Sequence, residues 1–287
     1  MSLTIDSTVT LSSGRSIPRL GYGVYQARSQ ECEDGVKEAF KVGYRLVDSA
    51  QAYKNEHIVG RAIVQLQSIS RSDVFLTTKY MPSHTPHPSS EVYEIMLKSL
   101  KKIDKSNTEK EKPYIDLMLI HAPFGGEQGR NNNWRALVRA QEEGWVRDIG
   151  VSNFNVHHLR SLPSPKPTVN QIELHPFCQQ REIVKYCQEN NITIQAYSPL
   201  IRADKERLAN PILVDIAKKH SKEVTQVLIR WSLQKGYIPL PKSVTPSRIK
   251  SNSDVYDFQL DEDDMRVLDG LDEGSNGACT WNPIDQP

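Results

Sequence analysis

The sequence predicts an α/β fold, namely a (β/α)8 TIM barrel with an N-terminal β-hairpin and an extra C-terminal helix or loop. Eight short segments rich in β-branched or apolar residues alternate with longer amphipathic segments, a pattern typical of βαβ units and a parallel sheet. No Pro/Gly/Ser-rich linker divides the 287 residues, so residues 1–287 are expected to form a single domain. An open doubly wound sheet also fits this alternation, but the count of eight strands favours the closed barrel.

The elements follow from apolar periodicity and from start and stop signals. The predicted strands comprise residues 20–24, 45–48, 74–78, 115–120, 148–151, 169–173, 193–196 and 238–241. Helical patterns occupy residues 30–42, 58–67, 90–103, 134–143, 156–162, 180–190 and 224–234. Gly43, Gly144 and Gly236 stand where a helix C-terminus favours glycine. A hairpin at residues 8–17, turning at Ser13 and Gly14, is expected to cover the lower mouth of the barrel, and the last fifteen residues are expected to be irregular.

Composition excludes several classes of protein. Lys plus Arg number 36 and Asp plus Glu number 35, and the resulting net charge of +1 argues against a nucleic-acid binder. No apolar run reaches the length of a membrane helix, and the first ten residues show no secretory signal. The four cysteines are scattered, which favours a reducing compartment. We therefore expect a cytoplasmic monomer that binds neither nucleic acid nor membrane.

Four polar side chains stand at or just after the ends of predicted strands. Asp48 ends the second strand and Tyr53 follows it, Lys79 ends the third strand, and His121 follows the fourth. Barrel enzymes place their working residues at the C-terminal ends of the strands, so these four groups are expected to share one mouth. Each alone also fits a structural role, such as a helix cap, a loop aromatic, a surface lysine or a buried histidine. A buried lysine needs a partner, however, and Asp48 is the obvious one.

The chemistry of these four groups is specific. A neighbouring ammonium favours a phenolate, so Lys79 is expected to lower the pKa of Tyr53 and to make it a general acid near neutral pH. Asp48 would keep Lys79 in place and charged, and His121 would donate a hydrogen bond to a substrate oxygen.

A phosphate site is expected after the eighth strand, in the segment KSVTPSRIK at residues 242–250. Thr245 suits an N-cap and Pro246 the first helical position, which places Arg248 in the first turn, facing the same mouth as Lys242. A helix N-terminus with two cations attracts phosphate, although an ordinary capped helix with surface cations fits the segment equally well. The pair Gly21 and Gly23 is not followed by the third glycine of a dinucleotide fingerprint.

In their order and spacing, Asp48, Tyr53, Lys79 and His121 resemble the catalytic tetrad of the aldo-keto reductase family. Further matching segments are GYR at 43–45, Asn55-Glu56, IGVSNF at 149–154, Asn170-Gln171 with Glu173 and His175, YSPL at 197–200 and IPLPKS at 238–243. The resemblance extends from about residue 20 to residue 271, and NADPH-dependent carbonyl reductases of the fungal type look most similar.

The resemblance implies NADPH as the cofactor. By position, Lys242, Ser243 and Arg248 would bind the 2′-phosphate, and Asn252 would lie near the adenine. The nicotinamide carboxamide would bind Ser152, Asn153 and Gln171, and the nicotinamide ring would stack on Tyr197. The remaining cofactor contacts implied are Gly23, Val24, Tyr25, Asp48, Ser198, Leu200, Arg202, Val244 and Thr245.

The expected reaction is transfer of a hydride from NADPH to the carbonyl carbon of an aldehyde, a ketone or a keto ester, with Tyr53 protonating the oxygen. An open substrate pocket is expected, walled by Tyr25, Ala52, Met81, Phe124, Trp134 and Trp281. No metal is expected, because the histidine pairs at 84/87 and 157/158 lack a third ligand. Two alternatives remain: a cofactor-sensing protein with little turnover, and a lyase that uses Lys79 as a Schiff-base nucleophile, which Asp48 disfavours by keeping the lysine protonated.

Overall fold

The computed structural model describes residues 3–66, 68–105 and 112–287. Eight strands form one parallel sheet in sequence order, and each strand pairs with its neighbours along the chain. The first and last of them meet where the Gly23 amide donates to the Pro241 carbonyl at 3.0 Å, which closes the barrel. The barrel strands are β3 (Gly21–Gly23), β4 (Leu46–Asp48), β5 (Phe75–Tyr80), β6 (Ile115–Ile120), β7 (Val146–Ser152), β8 (Val169–Glu173), β9 (Thr193–Tyr197) and β10 (Ile238–Pro239).

The predicted fold class is therefore confirmed, and the strand bounds agree within three residues. Strand β10 is short, with two residues where the sequence predicted four. Pro239 and Pro241 flank its end, and a proline lacks the N–H that a strand ladder requires.

The helices pack their apolar faces onto the outside of the barrel. They are α1 (Ser29–Lys41), α2 (Glu56–Val64), α3 (Ser89–Ile103), α4 (Gly126–Glu142), α5 (Val156–Ser161), α6 (Arg181–Glu189), α7 (Lys205–Leu208), α8 (Pro211–Lys219), α9 (Val224–Gln234), α10 (Pro246–Ser253) and α11 (Glu262–Asp269). No helix in these described ranges is long and apolar enough to cross a membrane. The last residue of the predicted helix 58–67 lies outside the described residues.

Three helices differ from the prediction. Helix α4 begins eight residues earlier than expected, in a Gly- and Asn-rich segment whose low helix propensity is overridden by tertiary packing. Helices α7 and α8 were missed, although the Asp204 and Asn210 side chains cap them by accepting hydrogen bonds from backbone amides, and Pro211 occupies the first position of α8.

The predicted N-terminal hairpin is present as the antiparallel strands β1 (Thr8–Thr10) and β2 (Ser16–Pro18). Its buried side chains Leu11 and Ile17 join the apolar cluster inside the barrel, together with residues such as Leu46, Leu117 and Ile238. The hairpin therefore covers the bottom of the barrel, as expected, and leaves the carboxyl ends of the strands as the open mouth. Beyond α11 the chain forms only short 3₁₀ turns, at Gly274–Gly277 and Pro283–Asp285, which confirms the extra C-terminal helix and loop.

Candidate active site

Lys79 is the central group at the mouth of the barrel. Its side chain is 0% exposed, and its ammonium donates to Asp48 Oδ1 at 2.5 Å, to the Ser49 carbonyl at 2.8 Å and to the Tyr53 hydroxyl at 3.3 Å. The three donors of the ammonium therefore each have an acceptor, which is the condition for burying a charged lysine. Strands β4 and β5 pair side by side with Asp48 opposite Thr77, so Lys79, two residues further along β5 on the same face, can reach the carboxylate.

The Asp48 carboxylate is held from its other side. Gln171, on β8 across the barrel, donates from Nε2 to Asp48 Oδ2 at 2.8 Å and to Gln195 Oε1 at 2.9 Å. This network spans the interior of the barrel and fixes the carboxylate that in turn fixes Lys79.

His121 stands across from Tyr53, with their rings edge to face at 5.7 Å between centroids. Burial, with a smaller contribution from the Lys79 charge, lowers the pKa of His121 to about 3. The imidazole is therefore neutral at physiological pH. Its Nδ1 has no hydrogen-bond partner among the described residues, and the backbone carbonyl of His121 accepts from Asn153 Nδ2 at 2.9 Å.

The protonation of Tyr53 differs from the prediction. Burial, aided by the nearby Asp48 carboxylate, raises the pKa of Tyr53 well above its ordinary value, whereas the sequence predicted that Lys79 would lower it. The prediction neglected that the charge of Lys79 is balanced by Asp48 at shorter range. Tyr53 is thus a protonated phenol at neutral pH, and Lys79 lies where it can stabilise the phenolate after the proton has left.

A cavity of about 810 Å³ begins at Tyr53 and His121 and extends to the N-terminal end of α10. Its size is in the upper part of the range found for small-molecule and cofactor sites. Most of the predicted site residues line it: Gly23, Tyr25, Asp48, Ala52, Tyr53, Met81, His121, Ser152, Asn153, Gln171, Tyr197, Ser198, Leu200, Arg202, Lys242, Ser243, Val244, Thr245, Arg248, Asn252 and Trp281.

Comparison with known proteins identifies the family. The model of the Aldo/keto reductase family matches residues 19–273. The chain belongs to the aldo/keto reductase family. An uncharacterized oxidoreductase of Schizosaccharomyces pombe is 41% identical, with 99% of each chain covered. The methylglyoxal reductase DkgA of Escherichia coli is 38% identical, over 93% of this chain and 94% of its own length.

A solved structure of the family agrees in fold. The Bombyx mori aldo-keto reductase in complex with NADP superposes with a TM-score of 0.83 at 30% identity, covering 94% of each chain. The predicted family is therefore confirmed, and the chain is a member of a family of oxidoreductases built on the (β/α)8 barrel. Its assignment to the fungal carbonyl reductases stays a prediction.

Three predicted site residues lie elsewhere in this family member. Val24, the residue after β3, is 0% exposed and belongs to the core, whereas its neighbour Gly23 lines the cavity. Trp134 is also 0% exposed; it sits on α4 outside the barrel, where its indole donates to the Pro165 carbonyl at 3.1 Å. The predictions of Val24 as a cofactor contact and of Trp134 as a pocket wall are therefore wrong. Phe124 does not line the cavity; its ring contacts that of Trp281, which does, at 5.6 Å between centroids.

Several polar residues of the cavity were missed. Glu223 and Thr225 stand where α9 begins, and the Glu223 carboxylate accepts from the Thr225 hydroxyl at 3.2 Å and from the Ser251 hydroxyl at 3.1 Å. Their position after β9, at a helix start, was a signal that could have found them. Thr280 lines the cavity from the C-terminal segment, whose path the sequence did not indicate.

Polar groups in the middle of the cavity form hydrogen bonds with one another. Tyr197 donates from its hydroxyl to Asn153 Oδ1 at 2.8 Å, and Ser152 donates from its hydroxyl to the Gln171 carbonyl at 2.9 Å. Asn153 has a left-handed backbone with φ of 64°, which asparagine tolerates better than most residues. These contacts preorganise a polar wall around the Tyr197 ring.

The far end of the cavity is positively charged. Lys242 and Arg248 are exposed, and neither forms an ion pair within the described part of the chain. Helix α10 begins beside them at Pro246, as predicted, but the Thr245 side chain makes no cap; instead Ser243 Oγ accepts from the Thr245 amide at 3.1 Å. The Tyr22 hydroxyl donates to the Ser243 carbonyl at 2.5 Å and pins the loop. Two unpaired cations at a helix N-terminus suit a phosphate.

Proposed function

We propose that this protein is an NADPH-dependent carbonyl reductase that converts aldehydes and ketones to alcohols. The observation that carries the proposal is the arrangement of one cavity. At one end, protonated Tyr53 lies beside the buried Asp48–Lys79 pair and across from neutral His121; at the other end lie Lys242 and Arg248, which form no ion pair with any described residue. An acid and a phosphate site are thereby joined by one continuous space.

The donor set of this cavity fits NADPH. Lys242, Arg248 and Ser243 would hold the 2′-phosphate, and the two cations favour that group over the bare ribose of NADH. Tyr197 would stack on the nicotinamide, and Ser152, Asn153 and Gln171 would surround its carboxamide. When bound, the nicotinamide supplies the hydride. The NADP in the Bombyx mori relative supports this choice of cofactor.

The residues of the chain would then position the carbonyl and supply the proton. Neutral His121 orients the substrate oxygen toward the Tyr53 hydroxyl, which gives up its proton as negative charge develops on that oxygen. The Lys79 ammonium, 3.3 Å from the hydroxyl, stabilises the phenolate left behind. Asp48 keeps Lys79 charged and fixed, so its role is to position the lysine.

The substrate end is wide and aromatic. Tyr25 and Trp281 are 46% and 50% exposed, and Ala52 and Met81 complete the walls. Such a mouth suits reactive aldehydes, 2-oxoaldehydes and keto esters rather than one tightly bound sugar. The methylglyoxal reductase activity named for the Escherichia coli relative supports 2-oxoaldehydes as the first substrates to examine.

We further propose that the protein acts as a cytoplasmic monomer with a single domain. Residues from Gly23 to Trp281 of one chain line the cavity, so no second copy is needed to complete it. All four cysteines are free thiols, as expected for a reducing compartment.

The test is NADPH consumption across a panel of carbonyl compounds, with NADH as the matched cofactor control. We expect turnover of 2-oxoaldehydes with NADPH and a much lower kcat/KM with NADH. Tight NADPH binding without turnover of any compound would contradict the proposal and favour a cofactor sensor. Trapping of the enzyme by borohydride with a carbonyl substrate would favour a lyase. The Lys79 ammonium already donates to three acceptors, which disfavours the neutral amine that a lyase requires.

A further inference from the structure

A second cluster of reactive side chains lies behind Tyr197, outside the proposed catalytic groups. It joins Glu173, the last residue of β8, to His175 two residues later and to Cys279 in the C-terminal segment. Glu173 Oε1 lies 3.0 Å from His175 Nε2 and 2.9 Å from Cys279 Sγ, and the sulfur lies 3.7 Å from that nitrogen. Glu173 and His175 are fully buried, whereas Cys279 is partly exposed and gives access from solvent.

We propose that Glu173, His175 and Cys279 form a binding site for a thiophilic divalent metal ion of the Zn²⁺ class. The three donor atoms lie on a circle of about 1.9 Å radius, so an ion slightly above their plane is about 2.0–2.3 Å from each, as zinc requires. A carboxylate, an imidazole and a thiolate are a ligand set that zinc uses, with water as the fourth ligand. Within the described ranges, this is the one group of three such donors that converges.

Binding of the ion requires a balanced movement of protons. The Cys279 thiol donates to Glu173 Oε1 and is therefore protonated, so its proton must leave when sulfur binds the ion. Glu173 accepts hydrogen bonds from His175, Cys279 and Thr280 through its two carboxylate oxygens. The carboxylate is therefore already ionised. The His175 proton moves from Nε2 to Nδ1, which has no partner among the described residues. One proton is released for each ion bound.

The ion would tie the C-terminal segment to the barrel. Thr280 donates from its hydroxyl to Glu173 Oε2, and the same hydroxyl lies 3.4 Å from that of Tyr197. The Cys279 amide also donates to Glu173 at 2.7 Å. Metal binding is expected to slow amide hydrogen exchange across residues 278–281, a readout that does not depend on turnover or on the proposed function.

The test is titration of the full chain with Co²⁺ and then Zn²⁺ in a weakly competing buffer. We expect one Co²⁺ per chain, a thiolate-to-cobalt charge-transfer band that Zn²⁺ abolishes, and release of one proton. Cys279→Ser keeps a donor to Glu173 but should lose the band and bind Zn²⁺ at least about 100-fold more weakly. Cys32→Ser, in a buried thiol of α1, is the matched control and should bind as the wild type does.

His175→Gln provides a second variant that leaves the thiol in place, and it should weaken Zn²⁺ binding without removing the free cysteine. Unchanged affinity in both Cys279→Ser and His175→Gln would overturn the proposal. Binding of no ion by the wild-type chain, or a cobalt spectrum without a thiolate band, would overturn it equally.

Discussion

Replacement of Asp48 by asparagine tests what the buried ion pair with Lys79 contributes to stability. The variant keeps the size of the side chain but leaves the Lys79 ammonium, which is fully buried, without its negative partner. Leaving one member of a buried pair uncompensated costs about 3–5 kcal/mol of stability. This loss of stability has an upper limit, because the buried lysine can lose its proton instead of remaining charged. Deprotonating a lysine with the ordinary pKa of 10.4 costs about 4.6 kcal/mol at pH 7.

The pH dependence of Asp48→Asn follows from the same charge. Burial already acts to lower the pKa of Lys79, and without the carboxylate that opposes it the pKa of the native lysine falls further below the unfolded value. Between those two values the unfolded state binds more protons, so the stability of the variant rises with pH. The destabilisation relative to wild type should therefore be largest at neutral pH and should shrink as pH approaches 10.

These effects can be measured by urea unfolding, monitored by circular dichroism at pH 7 and at pH 9.5. The proteins compared are wild type, Asp48→Asn and the double variant Asp48→Asn/Lys79→Met. The double variant removes the buried charge and should recover much of the stability that the single variant loses, although both lack turnover. A single variant within about 0.5 kcal/mol of wild type at pH 7, or a double variant less stable than the single, would refute the reasoning about Lys79.

Three further predictions concern separate parts of the molecule. Lys242→Ala and Arg248→Ala should each raise the KM for NADPH by about 10-fold or more while leaving the KM for NADH nearly unchanged. Lys250→Ala, in an exposed lysine of the same helix that does not line the cavity, is the control. Because the native pKa of His121 is about 3, the stability of the wild type should fall as pH drops from about 6.5 toward 3. The stability of His121→Gln should fall less steeply over the same range, and unfolding midpoints measure both. Ile17→Ala should cost about 2–5 kcal/mol of stability, because it removes a buried side chain from the apolar cluster at the bottom of the barrel. NADPH affinity should not change, and a change would contradict a purely structural role.

The sequence could predict the order of the strands and the residues at their ends, because both depend on local patterns. Asp48, Lys79 and His121 were found from strand ends alone, and the parallel barrel brings such ends together regardless of loop detail. The direction of the Val24 side chain could also have been inferred, since alternation along the predicted strand 20–24 places it opposite Gly23. Trp134 differs, because an aromatic residue in a helical pattern looks the same whether its helix faces a pocket or the outer core.

The sequence could not predict the pKa of Tyr53 or the contacts between residues far apart in the chain. The pKa of Tyr53 depends on how deeply the hydroxyl is buried and on the relative distances to Lys79 and Asp48, none of which a strand pattern contains. The same limit applies to Cys279, which meets Glu173 across 106 positions of the chain. The C-terminal segment is held by residues far away in the sequence, such as Glu173, which accepts from Cys279 and Thr280, so no local motif indicates its path.

The most direct test of the account is the turnover of Tyr53→Phe beside that of Tyr256→Phe. Tyr256 is a tyrosine of the outer core whose hydroxyl has no hydrogen-bond partner among the described residues, so its loss controls for removal of a phenol. Tyr53→Phe should bind NADPH with unchanged affinity and reduce a 2-oxoaldehyde at least about 100-fold more slowly, as expected for loss of a general acid. Tyr256→Phe should match wild type. Turnover by Tyr53→Phe within a few-fold of wild type would contradict the assignment of Tyr53 as the proton donor.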